Sequence, residues 1–252
     1  MPRKNQSKQS RRTEKELTYA ARMEQCIANS PFSNLERLQS FSLYTPRQDL
    51  TNFLVRYEIF KRALEVQGSI IECGVLRGAG LMAWAQFSTI FEPTNYQRLV
   101  VGFDTFSGFP KLSKQDRASE SEEARPGGLA VDSYDHLKEC VELFDMNRFI
   151  GHLPKVELVR GNAAETIPQY LKENPQLIVS LLYLDFDIYE PTLTALKHFL
   201  PRMPKGAVIA FDELNLRAWR GESVAVLESL KLREYRIERC PFGCVISFAK
   251  IE

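Results

Sequence analysis

From residue 69 onward the sequence repeats one pattern: a short, almost wholly apolar run, a turn, then a longer stretch of helical spacing. Runs that are apolar on both faces and separated by helices are what a parallel sheet needs, because its strands are buried on both sides. Five such runs stand at residues 69–75, 99–104, 156–160, 179–187 and 207–212, with helical stretches such as 81–91, 192–200 and 223–230 among them. The predicted fold is α/β: a doubly wound, Rossmann-like sheet joined by right-handed crossovers. The rhythm then breaks. Residues 236–241 and 244–251 are strand-like and are joined by Phe242-Gly243, which leaves no room for a helix and predicts a terminal antiparallel hairpin.

A chain of 252 residues, 44% hydrophobic, suffices for one large α/β domain (68–252) with an N-terminal extension. Residues 1–16 are basic and nearly free of apolar side chains, so they are predicted to be a disordered tail. Residues 17–67 read as helices packing on the core. The clearest begins at Thr45, with Thr45 as N-cap, Pro46 in the first turn and Gln48 as capping-box partner. Its apolar stripe is read as Leu50, Phe53, Leu54, Tyr57, Phe60 and Leu64.

Lysine plus arginine exceed aspartate plus glutamate by one, so no global field calls for nucleic acid or an anionic membrane; the expected partner is a small molecule. Cys26, Cys73, Cys140, Cys240 and Cys244 show no paired spacing and read as reduced thiols. No apolar run is long enough to span a bilayer, and a cytoplasmic protein is expected.

The first apolar run ends in Glu72-Cys73-Gly74-Val75-Leu76-Arg77-Gly78-Ala79-Gly80, which places glycines where backbone must turn sharply or approach a ligand. The second ends at Asp104, where a carboxylate can accept ribose hydroxyl protons. No lysine or Walker pattern accompanies the turn. The pair suits a nucleoside cofactor with an amino-acid tail, with NAD as the rival. Methyltransferases of class I end their sheet in an antiparallel hairpin, whereas a dinucleotide-binding domain continues with another helix. Candidate cofactor contacts are Glu72, Gly74, Val75, Arg77, Gly78, Asp104, Thr105, Ser107, Gly161, Asn162 and Asp185, and Arg77 is a candidate for the cofactor carboxylate.

The fourth run ends in Asp185-Phe186-Asp187 and the fifth in Asp212-Glu213. A strand period of two would turn Asp185 and Asp187 to one side, and all four carboxylates should meet at the carboxyl edge of the sheet. Such charges repel unless a cation joins them, and all-oxygen ligands favour Mg²⁺ or another hard divalent ion. Asp185, Asp212 and Glu213 are the candidate metal ligands and Asp187 the candidate proton acceptor. His136 and His152 are alternative bases. Residues 111–132, long for a connection, are expected to form a lid or acceptor wall, and Trp219 is a candidate pocket residue while Trp84 reads as core.

At these motifs the sequence resembles the macrocin and mycinamicin sugar O-methyltransferases over about residues 44–250. The specific segments are Tyr44-Thr45-Pro46-Arg47, the Glu72–Gly78 turn, Gly102-Phe103-Asp104-Thr105-Phe106-Ser107-Gly108-Phe109-Pro110 and Leu184-Asp185-Phe186-Asp187-Ile188-Tyr189-Glu190-Pro191-Thr192. The resemblance implies S-adenosylmethionine as methyl donor, Asp104 on its ribose, Mg²⁺ on Asp185 and the acidic pair after the fifth strand, Asp187 as base, and a hydroxylated small molecule, a natural-product sugar, as acceptor. Where the family carries two aspartates, this chain has Asp212-Glu213, and some members use a histidine as base. Such enzymes often form homo-oligomers. A metal-dependent glycosyltransferase using the two acids of the fourth run, and a non-catalytic cofactor-binding scaffold, are the competing readings.

Overall fold

The computed structural model describes residues 13–243 and 245–252. They fall into two compact units that divide between Leu50 and Thr51. In the first, helix α1 (Glu14–Ala28) opens on a capping box in which the Thr13 side chain accepts from the Glu16 amide and the Glu16 carboxylate accepts from Thr13 N. The prediction of disorder through residue 16 fails over residues 13–16, which carry the cap and first turn of a helix; residues 1–12 lie outside the described part. Helix α2 (Asn34–Gln39) opens on the same device, from Ser33 and Glu36.

Helix α3 (Arg47–Ala63) begins two residues after the expected Thr45 cap. The Thr45 hydroxyl is turned back to the Phe41 carbonyl, to which it donates at 2.8 Å, closing the preceding turn. The buried face is also rotated. Val55, Ile59, Phe60 and Ala63 are buried, whereas Phe53 and Leu54 are 42% and 50% exposed. The expected stripe counted large apolar residues, and the packing selects a β-branched and small-residue face beside it.

The second unit holds a seven-stranded sheet in the order β3-β2-β1-β4-β5-β7-β6. Its strands are β1 (Ser69–Cys73), β2 (Val100–Asp104), β3 (Val156–Arg160), β4 (Val179–Leu184), β5 (Val208–Phe211), β6 (Glu238–Arg239) and β7 (Ser247–Lys250). The first five pair in parallel and β7 lies antiparallel to both β5 and β6, the arrangement of class I methyltransferases. Alternation splits the core into two layers. Ile71, Cys73, Phe103, Leu182, Leu184 and Phe211 pack with helices α6 (Ala163–Glu173), α7 (Tyr189–Phe199) and α8 (Arg220–Ser229). Ile70, Val100, Leu181, Tyr183 and Ala210 pack with α3, α4 (Ala79–Phe91) and α5 (Tyr134–Met146).

Two boundaries depart from expectation in ways that shape the site. β4 stops at Leu184, short of the expected end, and at Asp187 the backbone enters the left-handed region, φ 62°, which a strand does not adopt. The terminal hairpin is shorter than predicted and its connection runs from residue 240 to 246 instead of two residues. Cys240 and Ile246, expected within the strands, are buried in the core and turn the chain inward; Cys244 lies outside the described residues. Cys26, Cys73, Cys140 and Cys240 are free thiols as expected. Among the described residues no helix is long and apolar enough to cross a membrane.

Candidate active site

Hydrogen bonds of the parallel ladder run one residue past the strands and fix the tips that carry the chemistry. Gly74 N donates to Phe103 O, Asp185 N to Cys73 O, Asp212 N to Leu184 O and Gly161 N to Asp104 O, at 2.7–3.0 Å. Together these tips floor a cleft of about 380 Å³. Gly74, Asp104, Thr105, Gly161, Asn162, Asp185, Asp187, Asp212 and Glu213 all line it, so most sequence-derived candidates converge. Backbone strain gathers here as well: of the non-glycine residues with positive φ, Leu76, Leu129 and Asp187 line the cleft.

Asp104 does more than face the cleft. Its Oδ2 accepts from the amides of Val75 (2.7 Å) and Leu76 (2.9 Å), and its Oδ1 from Phe106 N (2.7 Å), so the carboxylate fastens the glycine turn to the end of β2. Asn162 caps α6 by accepting from Ala164 N. Five other candidates do not line the cleft. Val75 is buried in the core, Gly78 is the left-handed N-cap of α4 against Leu137, and Arg77 and Ser107 are solvent-exposed.

Glu72, the fifth, is buried beneath the turn, and one carboxylate oxygen has no partner. Burial lifts its pKa to about 8, the nearby Arg56 charge opposing that rise and Asp212 and Asp104 adding to it. A carboxyl whose folded value exceeds its unfolded one contributes stability that is full below the ordinary range near 4.5 and is lost as pH rises through about 8. Glu72→Gln should therefore flatten the fall in melting temperature between about pH 5 and about pH 8. Parallel curves for the two proteins would show that Glu72 does not hold its proton in the fold.

The acids of β4 and β5 come together although the strand argument for them fails: Asp185 and Asp187 lie beyond β4 and are brought round by the turn at Asp187. Burial, Asp212 and Asp187 push Asp185 well above the usual carboxylate range. Burial, Glu213, Asp212 and Asp104 do the same to Asp187, which is 7% exposed. Glu213 is raised to about 8 by burial and by Asp212. Its amide donates to buried Glu222 (3.0 Å), a sixth acid of this region that sequence reasoning missed.

A divalent metal was the expected cation among these charges; the chain also supplies a cation of its own. Arg56, on α3, lines the cleft, places its guanidinium 5.0 Å from the Tyr183 ring centroid, and donates from Nη2 to Tyr183 Oη (3.2 Å). Tyr183 donates onward to Asp212. Burial works against the Arg56 charge, yet Tyr183, Glu72, Asp185 and Asp212 together raise its pKa and keep it protonated. The signal was present: residues 52, 56, 59 and 63 follow helical spacing along the face that is in fact used.

The donor chemistry fits a hard divalent ion, being all oxygen and including a buried Glu213 Oε2 without a partner. As the side chains stand, with Asp212 turned to Tyr183, no three His, Cys, Asp or Glu groups among the described residues are arranged to hold a metal.

The wall opposite the acids is apolar. Phe109, Pro110, Leu129 and Trp219 line it, with the Phe109 and Trp219 rings edge to face at 5.7 Å. Residues 111–132 do not form a free insertion: Glu120 N donates to Arg217 O (3.0 Å), Ser121 N to Ala218 O (3.3 Å), and buried Asp116 accepts from Ser113 N (2.7 Å) and Tyr189 N (2.9 Å). None of the chain's histidines lines the cleft; His136 lies on the exposed side of α5 and His152 is exposed. Trp84 is fully buried, as expected of core.

No curated protein matches the chain. Among solved structures it is similar to CalS11, a calicheamicin methyltransferase, at 33% identity over 95% of this chain and 93% of that one, TM-score 0.90. It is similar also to apo CalS11, described as a TDP-rhamnose 3′-O-methyltransferase of calicheamicin biosynthesis, at 32% identity over 95% of each chain, TM-score 0.82. The O-methyltransferase NovP, at 17% identity over 80% of this chain and 79% of that one and TM-score 0.61, shares the fold. The family model for macrocin-O-methyltransferase (TylF) matches residues 47–231, a span that takes in α3 with Arg56, the glycine turn, Asp104 and every acid of the cleft. With that span matched and the sheet closed as class I enzymes close theirs, the chain belongs to the TylF macrocin-O-methyltransferase family and is an S-adenosylmethionine-dependent O-methyltransferase.

Proposed function

We propose that the acceptor is a sugar hydroxyl of a natural-product intermediate and that Mg²⁺ assists the transfer. One observation carries this reading: a single cleft sets five carboxylates, those of Asp104, Asp185, Asp187, Asp212 and Glu213, against an apolar wall with two aromatic rings. A sugar has that same duality, with hydroxyls to share among acids and C–H faces to lay on Phe109 and Trp219. The CalS11 relative, a TDP-rhamnose 3′-O-methyltransferase, supports it.

S-adenosylmethionine supplies an electrophilic methyl group, and Mg²⁺, on Asp185, Asp212 and Glu213, would make an acceptor hydroxyl more acidic. The chain's part is positional and protolytic. Gly74, Gly161 and Asn162 bound the end of the cleft where β1, β2 and β3 finish, and Asp104, which lines it too, would accept from the ribose hydroxyls. Asp187, beside the acid pair after β5, accepts the proton that the hydroxyl loses. The strapped wall excludes water and fixes the acceptor so that oxygen, methyl carbon and sulfur line up.

The test is transfer of labelled methyl from S-adenosylmethionine to TDP-rhamnose and to simple phenols, each with and without chelator. The expected result is methylated sugar, with the rate falling at least about tenfold on chelation and returning with Mg²⁺. Turnover of phenols alone would overturn the sugar, and a rate indifferent to chelator would overturn the metal.

A further inference from the structure

The methyl donor ends in an amino acid, and a carboxylate taken from water into a cleft floored by acids needs a cation or N–H donors to meet it. Arg77, the sequence candidate, is exposed and does not line the cleft. Among the described residues Arg56 is the one Lys, Arg or His side chain that does.

The surroundings of Arg56 set it apart from a structural ion pair. Glu72, Asp185 and Asp212 all act on its charge, yet none of them comes within salt-bridge distance. Its hydrogen bond to Tyr183 Oη uses one donor, and buried Nε has no partner. The side chain is held, not left to find a place. Gly80, in the first turn of α4, leaves it room: a Cβ there would stand 3.1 Å from Arg56 Nε and 2.0 Å from Glu72 Oε1. Tyr183 supports the guanidinium from below. One turn earlier on α3, Asn52 lines the same cleft and brings an amide that can donate twice.

We propose that Arg56, seconded by Asn52, receives the α-carboxylate of the S-adenosylmethionine tail. A fixed guanidinium with unspent donors, unpaired among acids that hold it charged, is a receptor for an anionic group brought by a ligand. The assignment rests on the cleft being the cofactor site, and the test separates the two.

Calorimetry on the full chain uses S-adenosylhomocysteine, which carries the tail, and 5′-methylthioadenosine, which keeps the nucleoside and thioether but lacks it. The wild type should bind both, the first more tightly. Arg56→Met should weaken S-adenosylhomocysteine by about 10- to 100-fold and change 5′-methylthioadenosine by less than about twofold; Asn52→Ala should do the same on a smaller scale. Equal losses for both ligands, or no loss for S-adenosylhomocysteine, would overturn the proposal. Should Arg56→Met not fold, the wild type is measured with decarboxylated S-adenosylmethionine, and Arg56→Lys with both original ligands. Decarboxylated and intact cofactor binding alike would overturn it, as would an Arg56→Lys change that falls on both ligands equally. A wild type that binds no adenosyl compound would refute the cleft as the cofactor site, and this proposal with it.

Discussion

Asp187→Asn is expected to lower kcat by about 10²- to 10⁴-fold, the range for loss of a general base, and to leave S-adenosylhomocysteine affinity unchanged. Asparagine suits the test because it keeps the shape of the side chain and tolerates the left-handed backbone of residue 187, φ 62°. What it lacks is the ability to take a proton. Asp187 is buried in the cleft beside the acid pair after β5, and no histidine lines the cleft to replace it. Single-turnover rates with saturating acceptor, read beside calorimetry, decide the matter. An undiminished rate would remove Asp187 from proton transfer, and a matching loss of cofactor affinity would make it a binding residue.

The second large effect falls on stability. Gly74→Ala is expected to cost about 2–6 kcal/mol, the sum of a strained backbone and a steric insertion, against a total of about 5–15 kcal/mol for a typical domain. Gly74 has φ 98°, and a Cβ would stand 2.0 Å from the Asp185 carbonyl oxygen. Backbone on both sides must give way, at the point where the Asp185 amide is bonded to Cys73 O. Gly127→Ala provides the control, because φ is 72° there but nothing lies within 4 Å of the added carbon. It should cost about 1–2 kcal/mol, the backbone strain alone. Urea unfolding of the two variants isolates the steric part, and equal midpoints would refute the close approach.

The sheet was legible because its central strands β1, β2, β4 and β5 are buried on both sides and leave nearly continuous apolar runs; the edge strand β3, less buried, still matches the predicted span end to end. What escaped were features set by contacts distant in sequence. The run after Val179 reads as strand through Asp187, since Phe186 keeps it apolar, whereas β4 ends at Leu184 and the chain turns at residue 187. The face of α3 was misjudged because Phe53 and Leu54 outweigh Val55 and Ala63 in hydrophobicity but are not the residues facing the sheet. Arg56 was hidden by the same error: a charged residue on a face taken for solvent draws no notice. The acids were found from their places at the strand ends, whereas Glu222 sits on α8 among polar neighbours and only the fold brings it to Glu213.

The straps between residues 119–121 and 217–220 bear on how such enzymes change their choice of acceptor. The aromatic pair of the wall is split between two stretches of chain, Phe109 ahead of the first and Trp219 within the second, and buried Asp116 ties the first stretch to the start of α7. A segment exchanged alone would arrive without its hydrogen-bonding counterpart. On the proposed reading of this wall as the acceptor's, transplanting acceptor preference between relatives should succeed when residues 108–132 and 213–221 travel as a matched set, the two stretches inherited as one.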